Sequence, residues 1–241
     1  MFKKLRARKR GQTGFTLLEL LIVIAIIAIL SVVIILVLNP AETLKKSRDT
    51  QRMSDLSTLK TAIAIYVTTI KSPDLDAAVA SLCLGDGNTA AQISYSAEVP
   101  NTTCAVNVAE GSDVTSGSTF STTDSCRYVG STGASAVDGT GWVPVDFTVI
   151  TGGSPIPNLP LDPVNTVVSS SAPADGDLVY RYACQQVTTG GKPQHVFEID
   201  AQLESDEYTV TDDKRAKDGG DNDNYYEVGT NLRLIGTGTN F

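Results

Sequence analysis

Gly14-Phe15-Thr16-Leu17-Leu18-Glu19 opens an apolar run that continues to Leu38 and carries a single charge, Glu19. The run is 24 residues long. As a helix at ~1.5 Å per residue it spans ~36 Å, against a hydrocarbon core of ~30 Å. The fourteen residues before it hold Lys3, Lys4, Arg6, Arg8, Lys9 and Arg10 and no acid. A basic flank of this kind stays on the cytoplasmic side and sends the following chain outward. A secretory signal peptide fits less well. Its apolar region is roughly 7–15 residues, and Asn39-Pro40-Ala41-Glu42 makes a poor small-residue cleavage site. An ordinary anchor accounts for the length but not for Glu19. A carboxylate inside hydrocarbon costs a few kcal/mol on insertion scales and marks a functional position unless it merely snorkels to the headgroups.

The basic leader, the glycine at the boundary, Phe15 and Glu19 together resemble the class III signal of type IV prepilins, with a match extending over roughly residues 1–70. The resemblance implies a membrane prepilin peptidase that cuts between Gly14 and Phe15 and methylates the new amino group of Phe15. Residues 1–14 are then a leader peptide and Glu19 is the fifth mature residue. It implies that Glu19 serves assembly: a buried amine in an apolar filament core needs an anionic partner, and the carboxylate of a neighbouring helix supplies it. It also implies partners: identical or related subunits in a homopolymer, the peptidase, an inner-membrane assembly platform and membrane lipid.

Composition agrees with an exported body. The whole chain has a net charge of −8. Without the six basic leader residues, 13 basic groups face 27 acidic ones, a net of −14. Such a body repels itself in water and is unsuited to general nucleic-acid binding. Association therefore has to come from the apolar helix. Cys83, Cys104, Cys126 and Cys184 all follow the apolar run and lack C-x-x-C spacing. They read as one or two disulfides in an oxidising space, with the pairing open.

Farther along, residues 39–71 read as a continuation of the helix. Asn39-Pro40 predicts a kink or local break. Leu56, Leu59, Ile63, Tyr66, Val67 and Ile70 form a core-facing stripe. Lys45, Lys46, Arg48, Asp49, Arg52 and Asp55 are expected on the opposite, solvated side. Residues 72–141, rich in Gly, Ser and Thr, read as a variable connecting region, in which Asn101-Thr102-Thr103 is a formal glycosylation triplet. Residues 142–241 read as a sheet region. Strand signals fall at Trp142 to Ile150, at Leu178 to Val187 paired with Gln194 to Leu203, and at Tyr225 to Val228 and Leu232 to Ile235. In the second of the paired runs Phe197, Ile199, Ala201 and Leu203 alternate with Glu198, Asp200 and Gln202, the pattern of a half-buried strand. The expected fold class is α+β, a long N-terminal helix packed on a mostly antiparallel C-terminal sheet with long loops.

Two stretches carry further chemistry. Leu159-Pro160-Leu161-Asp162-Pro163 resembles the loop before the sheet in major pseudopilins of type II secretion systems, although Val164-Asn165 replaces their usual Trp-Gly. The acidic loop Asp218-Gly219-Gly220-Asp221-Asn222-Asp223 is a candidate Ca²⁺ site through Asp218, Asp221 and Asp223, because hard cations collect carboxylate and carbonyl oxygens. That resemblance implies calcium in a similar region; the bland alternative is an acidic turn. His195 is the sole histidine, and no catalytic constellation or phosphate-binding loop stands out. The expected function is that of a structural subunit of a type IV pilus-like filament, first an inner-membrane protein and then extracytoplasmic. A pseudopilin of a secretion system is the nearest alternative, and a membrane-anchored binding module the more distant one.

Overall fold

The computed structural model describes residues 14–76, 82–83, 93–96, 126–128, 133–165, 177–189 and 192–235. Helix α1 runs Leu17–Leu38 and helix α2 Pro40–Thr69. Ile- and Val-rich stretches are indifferent helix formers in water. In lipid only a helix satisfies their backbone internally. Asn39 adopts the left-handed conformation at φ 37°, ψ 73° and ends α1. Pro40 then takes the first helical position of α2, where its missing N–H costs nothing. The break expected at Asn39-Pro40 is present.

The chain divides into two compact units, residues up to Thr43 and residues from Leu44 on. In the first, the large apolar side chains of α1 as far as Ile35 are exposed. Residues Leu17–Ile35 are long and apolar enough to cross a membrane.

The second unit is built on a five-stranded sheet in the order β2-β1-β3-β4-β5. The strands are β1 Ile93–Tyr95, β2 Cys126–Tyr128, β3 Tyr180–Thr189, β4 Lys192–Ala201 and β5 Tyr226–Gly229. All neighbours are antiparallel except β1 and β2. The β3–β4 hairpin pairs Tyr180 with Ala201 at one end and Thr189 with Lys192 at the other. On α2, Leu56, Leu59, Ala62, Ile63 and Tyr66 recur at three- and four-residue spacing. They are buried in one cluster with Tyr180, Tyr182, Cys184, Phe197, Ile199 and Trp142. Each such side chain contributes on the order of 1.5–3 kcal/mol through burial, before the entropy of ordering is subtracted. The core therefore cements α2 to the sheet, and the α+β expectation holds.

Four local expectations are corrected. Trp142 to Ile150 is not a strand. It is an irregular segment with one bridge between Asp138 and Asp146 and a 3-10 turn at Phe147–Val149. Its apolar residues are core plugs: Trp142, Val143, Val145 and Phe147 are fully buried, and the indole Nε1 donates to the Pro160 carbonyl at 2.9 Å. Leu232 to Ile235 is also no strand. The N–H groups of Leu234 and Ile235 go to the Glu198 carboxylate, at 2.6 and 2.9 Å, and not to a ladder. Glu198 and Asp200 are buried, so β4 is covered on both faces. Asp49 and Arg52, expected on the solvated side of α2, are fully buried.

Of the cysteines, Cys83 is bonded to Cys184 at the centre of β3. Cys126 lies in β2, while Cys104 and the Asn101 triplet fall outside the described residues.

Candidate processing and assembly site

The start of α1 has a defined geometry. Thr16 is extended at φ −75°, ψ 150°, and caps the helix by accepting the Glu19 N–H on Oγ1 at 3.2 Å. Glu19 answers through Oε2, which accepts the Thr16 N–H at 2.9 Å and the Thr16 hydroxyl at 2.8 Å. This is a reciprocal capping box, which satisfies two helix-end donors. Glu19 Oε1 makes no bond among the described residues. The T-x-x-E spacing was available in the sequence, so Thr16 is a site residue that the expectation above omitted.

Gly14, Phe15 and Thr16 precede the first helical residue and lack regular structure, so the Gly14–Phe15 bond lies outside the helical ladder. A Cβ built on Gly14 would meet nothing within 4 Å. Packing among the described residues therefore places no demand on glycine at this position. Phe15 is 84 % exposed.

A second arrangement, also unforeseen, sits where α2 meets the body. Arg52 is bidentate to Asp162, with Nε 2.6 Å from Oδ2 and Nη2 3.0 Å from Oδ1. Its Nη1 donates to Asp49 and to Glu204, each at 2.7 Å. Asp49 in turn accepts backbone N–H groups of Glu204 and Ser205, and Arg48 makes a two-point contact with Glu204. Burial by itself would lower the pKa of Arg52. The hydrogen bonds and charge of Asp162, with those of Glu204 and Asp49, outweigh it and hold the guanidinium more firmly charged than usual. Burial also works against the Glu204 carboxylate, yet Arg48 and Arg52 keep its pKa below the ordinary value. Asp162 is thus placed by function of the turn and the ion pair together: it also accepts the N–H groups of Val164 and Asn165.

In the acidic loop, Asp218 accepts the N–H groups of Gly220 at 2.8 Å and Glu227 at 2.7 Å. Gly220 lies against Glu227, where a Cβ would stand 1.7 Å from Oε2. Burial raises the Asp218 carboxyl and pushes Glu227 to about 7. Asp223 is exposed, and Asp218 and Asp221 are half-buried. Among the described residues no three His, Cys, Asp or Glu side chains are grouped so as to hold a metal ion. His195 lies on β4 opposite Gln186.

Residues 9–35 match the prokaryotic N-terminal methylation motif. That match covers Gly14, Phe15, Thr16 and Glu19 and makes this segment a class III signal of the type IV prepilin and pseudopilin kind. Neither a curated protein nor a solved structure matches the chain.

Proposed function

We propose that this chain, a prepilin-like precursor, is cut between Gly14 and Phe15 and polymerised into a type IV pilus-like filament. The observation that carries the reading is the methylation motif seated on a helix whose large apolar side chains, through Ile35, are exposed. A surface this apolar needs lipid or other helices around it. Lipid covers it before assembly, and identical or related subunits replace the lipid in the filament. The peptidase and an inner-membrane assembly platform act in between. The basic leader stays cytoplasmic and the acidic body faces the exterior.

The capping box supports a role for Glu19 in this exchange. The Thr16 amide belongs to the Phe15–Thr16 peptide, so cleavage at Gly14 leaves the box intact. Oε2 remains committed to Thr16 while Oε1 is left to take the methylated amine of a neighbouring Phe15. The pair fixes axial register more than it adds net stability, because both ions are desolvated. Glu19→Ala removes the one charge of the membrane-spanning run, so membrane insertion is unharmed. Sheared filament yield should fall at least about tenfold, the factor that corresponds to losing roughly 1.4 kcal/mol per assembly step. Wild-type yield in this variant would mean that Glu19 only snorkels and would remove the assembly role.

A pseudopilin of a type II secretion system is the second reading, favoured by the Leu159 to Pro163 turn whose Asp162 is locked onto α2. Calcium in the Asp218–Asp223 loop belongs with that reading and requires the loop to draw its carboxylates closer than they stand. If the chain is instead a membrane-anchored binding module, it stays monomeric and keeps residues 1–14.

A further inference from the structure

Residues 206–217 form a compact excursion from the body. A π-helical turn at Glu207–Thr211 leads into a 3-10 turn at Arg215–Lys217. The excursion closes on itself. Asp212 donates its N–H to the Glu207 carbonyl at 2.7 Å, Lys214 donates its own to the Tyr208 carbonyl at 2.9 Å, and the Arg215 guanidinium reaches the Thr209 carbonyl at 2.9 Å. It meets α2 at Lys46, 3.3 Å from Glu207, and at Thr50, whose hydroxyl lies 3.4 Å from that of Tyr208. Lys46 and Lys214 stand 5.5 and 5.8 Å from the centre of the Tyr208 ring. Val210 is 76 % exposed and Leu44 62 %, more than any other large apolar side chain described in this unit.

One exposed apolar side chain, standing singly, needs no account. Here the two most exposed of the unit gather at one place, since Leu44 is two residues from Lys46 and Val210 two residues from Tyr208. The charge there is also unlike that of the rest. Without its leader the chain has a net charge of −14, yet in this region Glu207 is matched by Lys46, Asp212 by Lys214 and Lys217, and Asp213 by Arg215. A matched surface is not repelled by an anionic membrane. Its place in the chain completes the case. The unit begins at Leu44, so only residues 39–43 separate it from the apolar run that ends at Leu38. Five residues reach at most ~18 Å. The headgroup layer outside the hydrocarbon is itself ~5–8 Å deep.

We propose that Leu44, Tyr208 and Val210, flanked by Lys46 and Lys214, form a docking surface for the phospholipid headgroup layer of the membrane that α1 spans. The chemistry is that of an interfacial belt. A tyrosine ring sits at the headgroup level, aliphatic side chains dip toward the acyl boundary, and lysine stems lie along apolar surface with the ammonium kept in water. Because the acids here already have their bases, attachment comes from apolar contact and depends little on anionic lipid. The surface rests on the membrane-spanning reading of α1 and not on the filament. In the filament reading the contact belongs to the unassembled subunit and is surrendered on assembly.

The test is tryptophan fluorescence of the full chain in phosphatidylcholine nanodiscs, with Trp142, fully buried in the core, as a constant background. Val210→Trp and Leu44→Trp, at exposed positions that tolerate the larger ring, should both lose emission when the lipid carries a nitroxide on its headgroup. Val149→Trp should keep its emission. That residue is 52 % exposed but follows Phe147, whose ring meets Tyr66, ~30 Å along α2 from Lys46. Leu30→Trp should lose emission to bromine carried on the acyl chains. No loss at positions 210 and 44 while Leu30→Trp responds overturns the surface, as does a loss that appears only when phosphatidylglycerol is added. Protection of the Val210→Trp side chain from dissolved acrylamide without loss to lipid assigns the face to a second copy of the chain and overturns it too. A Leu30→Trp chain that ignores the bromine takes α1 out of the bilayer and removes the reading on which the surface rests.

Discussion

Helices α1 and α2 follow one another in sequence and treat charge in opposite ways. In α1 a lone carboxylate stands at the start of an apolar helix whose large side chains as far as Ile35 are exposed, and its protein partner is Thr16, three residues away. In α2 the charged residues Asp49 and Arg52 are themselves the interior, with every ion met by an opposite ion or a backbone N–H. The second helix is finished by its own chain. The first is unfinished, and an element left unfinished by its own chain is the part that other molecules complete.

That contrast is most easily broken with Arg52→Met. Methionine matches the apolar stem but leaves Asp49 and Asp162 buried without their cation, a situation that costs about 3–5 kcal/mol. The body's melting transition, followed on the full chain in detergent, should drop accordingly. Leu30→Ala in α1 should leave the same transition within about 0.5 kcal/mol, because that side chain is exposed. Equal effects at the two sites would erase the distinction.

A smaller effect concerns the acidic loop. If Asp218, Asp221 and Asp223 take Ca²⁺, the melting temperature rises with calcium by the linkage relation, about 2.7 kcal/mol at a hundredfold excess over Kd. Magnesium helps less because it demands a tighter octahedral shell. Coincident melts in calcium and chelator would mean that backbone N–H groups, as at Asp218, already meet the loop's charge.

The smallest effect is one of pH. Asp76 accepts the N–H groups of Leu82 and Cys83 and the Gln186 amide, beside Asp74. Burial, with the Asp74 neighbour next, raises its pKa to about 6. A carboxyl raised in the folded state keeps its proton after the unfolded chain has lost its own. Its contribution to stability is therefore full below about pH 4 and fades as the pH climbs through about 6. Burial also opposes the Asp74 charge, but bonds from Asp76 and Gln186 keep its pKa low, so its own change falls below that window. Asp76→Asn should flatten the decline of melting temperature between about pH 4.5 and 6.5 relative to the parent chain, the range over which the folded carboxyl gives up its proton. An unchanged slope would assign the decline to other groups.

Much of this was legible in the residues. The apolar run, the proline break and the Leu56 stripe follow from periodicity and chain geometry, and the β3–β4 hairpin from alternation about a Gly-Gly link. The misreadings share one cause. The charge of Asp49, Arg52, Glu198 and Asp200 points to solvent because charge is ordinarily exposed, yet each is buried against a partner distant in sequence or across a strand. Arg52 meets Asp162 over 110 positions, and Glu198 meets Leu234 over 36. Local pattern cannot supply such a partner. Likewise Trp142 to Ile150 had strand-like composition, but its apolar side chains plug the core from a loop. At the N-terminus the reverse holds. The T-x-x-E box is local, and the sequence already contained it.

The proposed function stands or falls on removal of residues 1–14, which makes Phe15 the mature N-terminus. Mass spectrometry of the membrane-extracted protein tests it directly. An N-methylated Phe15 start is expected, with residues 1–14 removed. A chain still beginning at Met1, or one cut after Leu38, would contradict it.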